Sequence, residues 1–362
     1  MIKHLFLPVL LFFGLVGCKK SVETSEVLHT ISRINWYTYT STNSNLPENF
    51  VTNIEINNVN EIWVGTFSKG VAKFDGINWQ VYNTKNSGLS NDTIWDMTVD
   101  NQNNLWVGTS NGLSRFDGTT WTVYNWTNAP LPTRNITSVA VDDNNIVWVG
   151  CGNSIEGGLL KFDGFTWQLF TPQNSILPCR IIDKIFIDNK NNKWIATNQY
   201  QGNGGVLKIN NENWSLFNKN NTIMPYNSSD DISQDKNGNI WVAMAALLYD
   251  KPNYFDGSLA KYDWNSWKEF KTHEEIPKLT NRINCIRADK FNNIWAATMP
   301  EGFPSFGEYE IAMFNGLKWS VLSDIDNTFP HSFIMDMDFD KNHNLWIAQS
   351  DIGLTKVEIE MK

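Results

Sequence analysis

Apolar and polar residues alternate along most of this chain in short runs, separated by Asn, Asp, Gly and Pro. Runs of that length with period two predict half-buried strands rather than helices, and the punctuating residues predict turns between them. The clearest stretch predicts strands at Ile94–Val99, Leu105–Thr109, Leu113–Phe116 and Trp121–Tyr124. Asp117-Gly118, between the last two, is a strong hairpin signal.

This four-strand pattern recurs. One Trp set, Trp63, Trp106, Trp148, Trp194, Trp241, Trp295 and Trp346, is followed two residues later by Gly or Ala. A second set, Trp36, Trp79, Trp121, Trp167, Trp214, Trp267 and Trp319, follows a short turn. From each second-set Trp to the next first-set Trp the gap is 27 residues, or 28 once. Six residues before each first-set Trp stands Asn57, Asp100, Asp142, Asp188, Asp235, Asp289 or Asp340, an Asx able to set the turn between two strands. Leu46-Pro47 and its counterparts precede the first strand of most units and reject helix there. Four strands recurring every 40–50 residues predict an all-β, seven-bladed β-propeller with four-stranded blades. The last unit has no fourth strand, whereas Ile34–Tyr39 is a fourth strand with no unit of its own. The N-terminal strand should therefore pair with Gly353–Ile359 and close the ring, protecting both edges.

Composition sharpens this picture. Of 17 Trp, 14 belong to the two repeat sets, and 47 Asn supply turns. Trp95, Trp126 and Trp264 are left over. The net charge of −9 argues against a nucleic-acid partner, which needs a surplus of Lys and Arg.

The N-terminus reads differently. Lys3 precedes an apolar run, Leu5–Val16, that is short for a membrane span. It ends in Leu15-Val16-Gly17-Cys18, which resembles the lipobox of bacterial lipoproteins. The resemblance implies cleavage before Cys18, acylation of that residue and stable anchoring. The expected organisation is a signal peptide at 1–17, a polar tether at 18–33 and the propeller at 34–362. Lys19 in place of Asp implies the outer membrane by analogy with sorting rules, with the facing side left open.

The repeat itself, Trp-x-x-Tyr, Asn-Ser-x-Leu-Pro, Asp-x-x-x-x-Leu-Trp-Val-Gly-Thr and Gly-Leu-x-x-Phe-Asp-Gly, resembles the two-component regulator propeller repeat, best at residues 79–121. In that family such repeats often form periplasmic sensor domains of hybrid histidine kinases. Nothing of a kinase follows the repeats here, so no kinase output is expected.

Candidate chemistry lies on one rim. The spacing from first-set to second-set Trp grows to 19, 20, 26 and 24 in units three to six, which puts added length at Cys151–Gly158, Asn198–Gly205, Ala245–Ser258 and Met299–Glu310. These connections between second and third strands open on the same face, termed upper, as those between blades. Their aromatics include Tyr200, Tyr249, Tyr254, Phe255, Phe303 and Phe306, and Trp126 lies on a neighbouring connection. Such rings stack on sugars or contact proteins, or else pack on each other to order the loops. Arg134, Arg180 and Arg282 begin first strands, near the expected mouth of the central channel. They could hold a carboxylate or sulfate, or pair with neighbouring Asp. His331 joins them on an inter-blade connection.

No His pair or Cys-x-x-Cys has metal-ligand spacing, and no phosphate loop is seen, so no metal, cofactor or catalytic set is assigned. A Cys151–Cys179 disulfide stays open. The expected protein is a monomeric, membrane-anchored propeller that takes a glycan or protein ligand on its upper face. A propeller enzyme of the lyase type and a structural or assembly lipoprotein are the alternatives.

Overall fold

The computed structural model describes residues 28–152, 155–198, 204–245, 257–270, 282–299 and 309–362. They form seven four-stranded antiparallel sheets arranged as blades around one axis. Strands are lettered A to D from the axis outwards. The A strands are Val51–Ile56, Ile94–Val99, Ile136–Val141, Ile182–Ile187, Ser229–Gln234, Arg282–Ala288 and Ile334–Phe339, in blades one to seven. The predicted unit is found as Ile94–Val99, Leu105–Thr109, Gly112–Phe116 and Trp121–Tyr124.

Blade seven is composite. Ile31–Tyr39 lies antiparallel to the C strand Leu354–Met361, pairing Ile34 with Ile359 and Tyr39 with Leu354. Tyr39 also stacks on Trp346 at 5.8 Å and meets Phe74 and Trp79 of blade one. The N-terminal strand thus joins the last blade to the first.

The two Trp sets do different work. First-set indoles are buried between blades. In six of them Nε1–H donates to the Asp six residues upstream, as in Trp194 to Asp188 at 2.8 Å and Trp106 to Asp100 at 3.0 Å. The other oxygen of each carboxylate accepts backbone N–H groups of its own turn; Asp100 Oδ1 takes those of Gln102 and Asn104. One side chain therefore sets the A–B turn and satisfies a buried N–H. In blade one Asn57 forms the turn but leaves Trp63 without that bond. Trp79, Trp121, Trp167 and Trp267 of the second set stack on the aromatic that ends strand C, as in Phe162–Trp167 at 4.2 Å. Together these rings make an outer aromatic belt worth about 0.5–1.5 kcal/mol per pair beyond burial.

One helical turn departs from the all-strand expectation. The D strand of blade six is only Trp319–Val321, and Leu322–Ile325 then coils so that Leu322 is fully buried. Ser323 Oγ donates to Glu310, tying that turn to strand C.

Candidate functional site

Two places break the repeat with polar or aromatic side chains: the central channel and part of the upper face. The channel is built by A strands, each of which carries a bulge near its start. After the bulge one register position presents Asn53, Asp96, Ser138, Lys184, Asp231, Cys285 and Asp336 in blade order. Two residues on come Glu55, Thr98, Ala140, Phe186, Ser233, Arg287 and Asp338. Two facing layers therefore concentrate charge on the axis, with about 360 Å³ of space beside them.

The first layer is cross-linked. Asn53 Nδ2 donates to Asp336 at 2.7 Å and to Asp96 at 3.2 Å, and Ser138 Oγ donates to Asp96 at 2.8 Å. Lys184 Nζ is 3.1 Å from Asp96. Arg287 bridges Asp231, at 2.7 Å, and Asp336. These groups also take backbone N–H groups of the next blade: Ile54 to Asp336, Val139 to Asp96, Ile185 to Ser138 and Ile286 to Asp231. The charged ring is thus a joint between blades, and its members are committed to one another.

The lower layer titrates abnormally. Burial pushes Glu55 up to about 8, with the Asp338 carboxylate adding to the shift, and burial pushes Asp338 up to about 6. Both groups hold their protons more tightly in the fold than in the unfolded chain. Their stabilising effect is present at acid pH and is lost as pH rises through these values. Glu55 accepts the N–H of Val99 at 2.9 Å, an interaction that Gln can keep. We therefore expect the melting temperature to fall from about pH 4.5 to about pH 8 and to level off above that, and Glu55→Gln to flatten the fall. The difference at pH 9 should be on the order of 1–3 kcal/mol. A thermal denaturation series for both chains checks it; parallel curves would overturn the assignment.

The upper face holds the second departure. Trp126, on the connection from blade two to blade three, is 59% exposed. The Arg134 guanidinium lies over its ring, 5.2 Å from the centroid. Both line an open depression of about 520 Å³ with Ser110, Thr133, Asn135 and Glu156. Next along the rim, Arg180 Nη1 donates to the carbonyl of Gly157 at 3.2 Å and Nη2 to Gln173 at 2.7 Å. Ile155, Ile176 and Ile223 are exposed on the same face.

The arginines correct one expectation. Among the described residues, Arg134 and Arg180 do not line the channel; its upper mouth is formed by Thr52, Trp95, Thr137, Asp183, Asp230 and Asn284. Both precede the first A-strand residue, where the chain still crosses the upper face, so they serve the rim instead. Arg180 pairs with an amide and a carbonyl rather than with Asp. His331 Nδ1 lies 2.9 Å from the Tyr309 carbonyl, at blades six and seven and away from the Trp126 depression. Tyr200, Tyr249, Tyr254, Phe255, Phe303, Phe306 and Cys18 lie outside the described residues, as does the side chain of Arg282.

The described cysteines form no disulfide. Cys151, Cys179 and Cys285 are buried free thiols. Cys151 Sγ points to the Gly158 carbonyl at 3.5 Å, and Cys179 Sγ points to Asn198 at 3.6 Å. Burial raises Cys151 to about 12, which makes it unreactive as a thiolate.

Reading for aromatics missed Ile155, Ile176 and Ile223. A signal existed for two of them: the residue before the buried Leu or Met of each inter-blade connection is Asn45, Gly88 or Pro130 in blades one to three, but Ile176 and Ile223 at the next two. Sequence reasoning misses the channel layers as well, because each blade contributes a different residue type at those positions.

Residues 88–111 match the family model described as Two component regulator propeller. The chain is a seven-bladed β-propeller carrying that repeat. No curated protein matches the sequence. Among solved structures, it is similar to the extracellular domain of the hybrid two component system BT3049 from B. thetaiotaomicron. The two are 19% identical with a TM-score of 0.61 over 86% of this chain and 40% of that one. It is also similar to virginiamycin B lyase from Staphylococcus aureus, at 13% identity and a TM-score of 0.66 over 91% of this chain and 100% of that one. A third similar structure is YCF48 bound to D1 peptide, at 12% identity and a TM-score of 0.62 over 90% and 99% of the two chains. At these identities the likeness shows a shared fold.

Proposed function

We propose that this protein is a binding propeller of the bacterial envelope, held to the outer membrane through acylated Cys18, that captures a protein segment on its upper face. The observation that carries this reading is Trp126. Every repeat-set Trp belongs to the frame, whereas Trp126 is exposed, backed by Arg134, and set over an open depression. A flat ring stiffened by a cation at an open cleft has the make-up of a binding hot spot. The exposed Ile155, Ile176 and Ile223 further along the same face favour a peptide over a sugar, because branched aliphatic side chains offer no stacking plane. Arg134 and Arg180 suit an acidic residue on that peptide. The similar propellers support an extracellular setting through the BT3049 domain and peptide capture through YCF48. A glycan ligand is the second reading, supported by the stacking surface of Trp126 itself.

The test is a peptide-display selection run beside a glycan array on the mature chain from residue 18. Trp126→Ala should weaken the selected ligand at least about tenfold, with an unchanged melting temperature. Ligands confined to the glycan array would replace the peptide reading, and full affinity in Trp126→Ala would remove this site.

A further inference from the structure

The lower face, where the A–B and C–D turns lie, differs from the rest of this acidic protein. Both ends of the propeller reach it together: Thr30 and Lys362 exchange backbone hydrogen bonds at 3.0 and 2.9 Å. The His29 carbonyl accepts from Asn315 of blade six, and the His29 ring sits 4.5 Å from Phe291. Leu28, the first described residue, therefore lies at the lower face beneath blades six and seven. The Trp126 surface points the opposite way.

Exposed lysines gather on that half, each in a turn that buries its repeat Asp, namely Asp188, Asp235, Asp289 or Asp340. The A–B turns of blades four to seven each carry an exposed lysine: Lys190, Lys236, Lys290 and Lys341. Hydrogen bonds between neighbouring turns hold part of the arc in place, as from Lys236 N–H to Asn292 and from Lys341 N–H to Asn60, both 2.9 Å. Lys318 adds to it, while Glu212 and Asp263 are the acidic residues of the C–D turns there. The corresponding turns of blades one to three carry Asp75, Asp117, Asp143 and Asp163 instead and no lysine. The turn lysines are thus confined to the half of the lower face that Leu28 and Lys362 adjoin.

Apolar groups are exposed on both halves: Val59, Ile77 and Phe165 on turns of blades one and three, and on the lysine half Leu317, at the tip of the blade six C–D turn and 72% exposed, with Leu28 nearby. In blade five Trp264 occupies the turn position held by Gly76, Gly118, Gly164 and Gly316 elsewhere, at φ +74°. A bulky side chain is strained in that conformation. The indole donates to the Gly238 carbonyl at 2.7 Å, and Lys190 lies 3.8 Å from its centroid. Exposed Lys around Trp and Leu is the composition of a surface that meets lipid headgroups.

We propose that the lower face of blades four to seven docks on an anionic lipid surface, holding the upper face away from the membrane. Docking of this kind does not require acylation of Cys18, so it is tested on the mature chain carrying Cys18→Ser. Co-sedimentation would use phosphatidylcholine vesicles with and without phosphatidylglycerol, at low and high salt. Binding should require phosphatidylglycerol and weaken with salt. Reversing Lys190, Lys236, Lys290 and Lys341 to Glu should lower the partition coefficient by at least about 600-fold, since each lysine near such a surface is worth roughly fivefold and the four factors multiply. Trp264→Gly relieves the positive φ but removes a half-buried indole packed on Trp194 and Tyr262, so its melting temperature is measured beside its vesicle binding, which should weaken. Trp126→Ala should bind vesicles as the parent does, which keeps this outcome separate from the upper-face reading. Failure to bind, equal binding to neutral vesicles, or indifference to lysine reversal would overturn the proposal. So would a dimer of the chain abolished by the same reversals, which would place a second copy on this surface.

Discussion

A chain that lacks residues 28–39 should fail to form a stable ring. The deleted segment supplies the outer strand of blade seven, and without it the C strand Leu354–Met361 becomes an open edge. Ile31 and Ile34, both buried, leave the core cluster that contains Trp295, Met337 and Val357. Their burial alone is worth about 3–6 kcal/mol, a large part of a typical total stability of about 5–15 kcal/mol. Tyr39 is lost from its stack on Trp346, and with it a contact between blades seven and one. Trp36 Nε1–H, 3.2 Å from Asp326, is lost too. The expected result is an insoluble product or one that melts far below the parent. A synthetic peptide of residues 28–39 added in trans should restore part of the lost stability, since strand addition uses the same pairing. An unchanged melting temperature would show that the ring closes without this strand.

The second large effect is expected at Arg287. Its guanidinium bridges two buried carboxylates, Asp231 and Asp336, from blades on either side of its own. Arg287→Ala leaves both carboxylates without their cation, and breaking a buried pair in this way costs about 3–5 kcal/mol. Arg287→Lys should recover only part, because an ammonium is a point charge and lacks the planar fork that reaches two partners. Urea denaturation of the three chains at neutral pH measures this; a deficit under about 1 kcal/mol would mean that the channel charges are screened by water.

Much of the fold was legible because a propeller repeats its frame. Spacing of the two Trp sets set the number of blades, and the missing fourth strand after Trp346 pointed to Ile34–Tyr39 as its replacement. Asx residues six positions before the first-set Trp announced the A–B turns. Their second role, accepting the indole N–H, needs the chain to fold back on itself and is seen only in space. Far less of the candidate site was legible. Arg134 belongs with Trp126 rather than with the channel because the last residues before strand A still run across the upper face. No spacing rule reveals that change of direction.

By itself, then, the order of residues determined the architecture of this protein: seven blades, four strands each, closed by the N-terminal strand. Strand patterning and turn chemistry are local, and a seven-fold repetition makes a local signal unmistakable. Tertiary structure alone decided which departures from the repeat meet. It brought Asn53, Asp96, Lys184, Asp231, Arg287 and Asp336 to one axis from separate blades, and it gathered four turn lysines onto one half of the lower face. The reason is geometric. A ring joins residues that lie a whole blade or half the chain apart, and the charges that face each other across it share no local pattern.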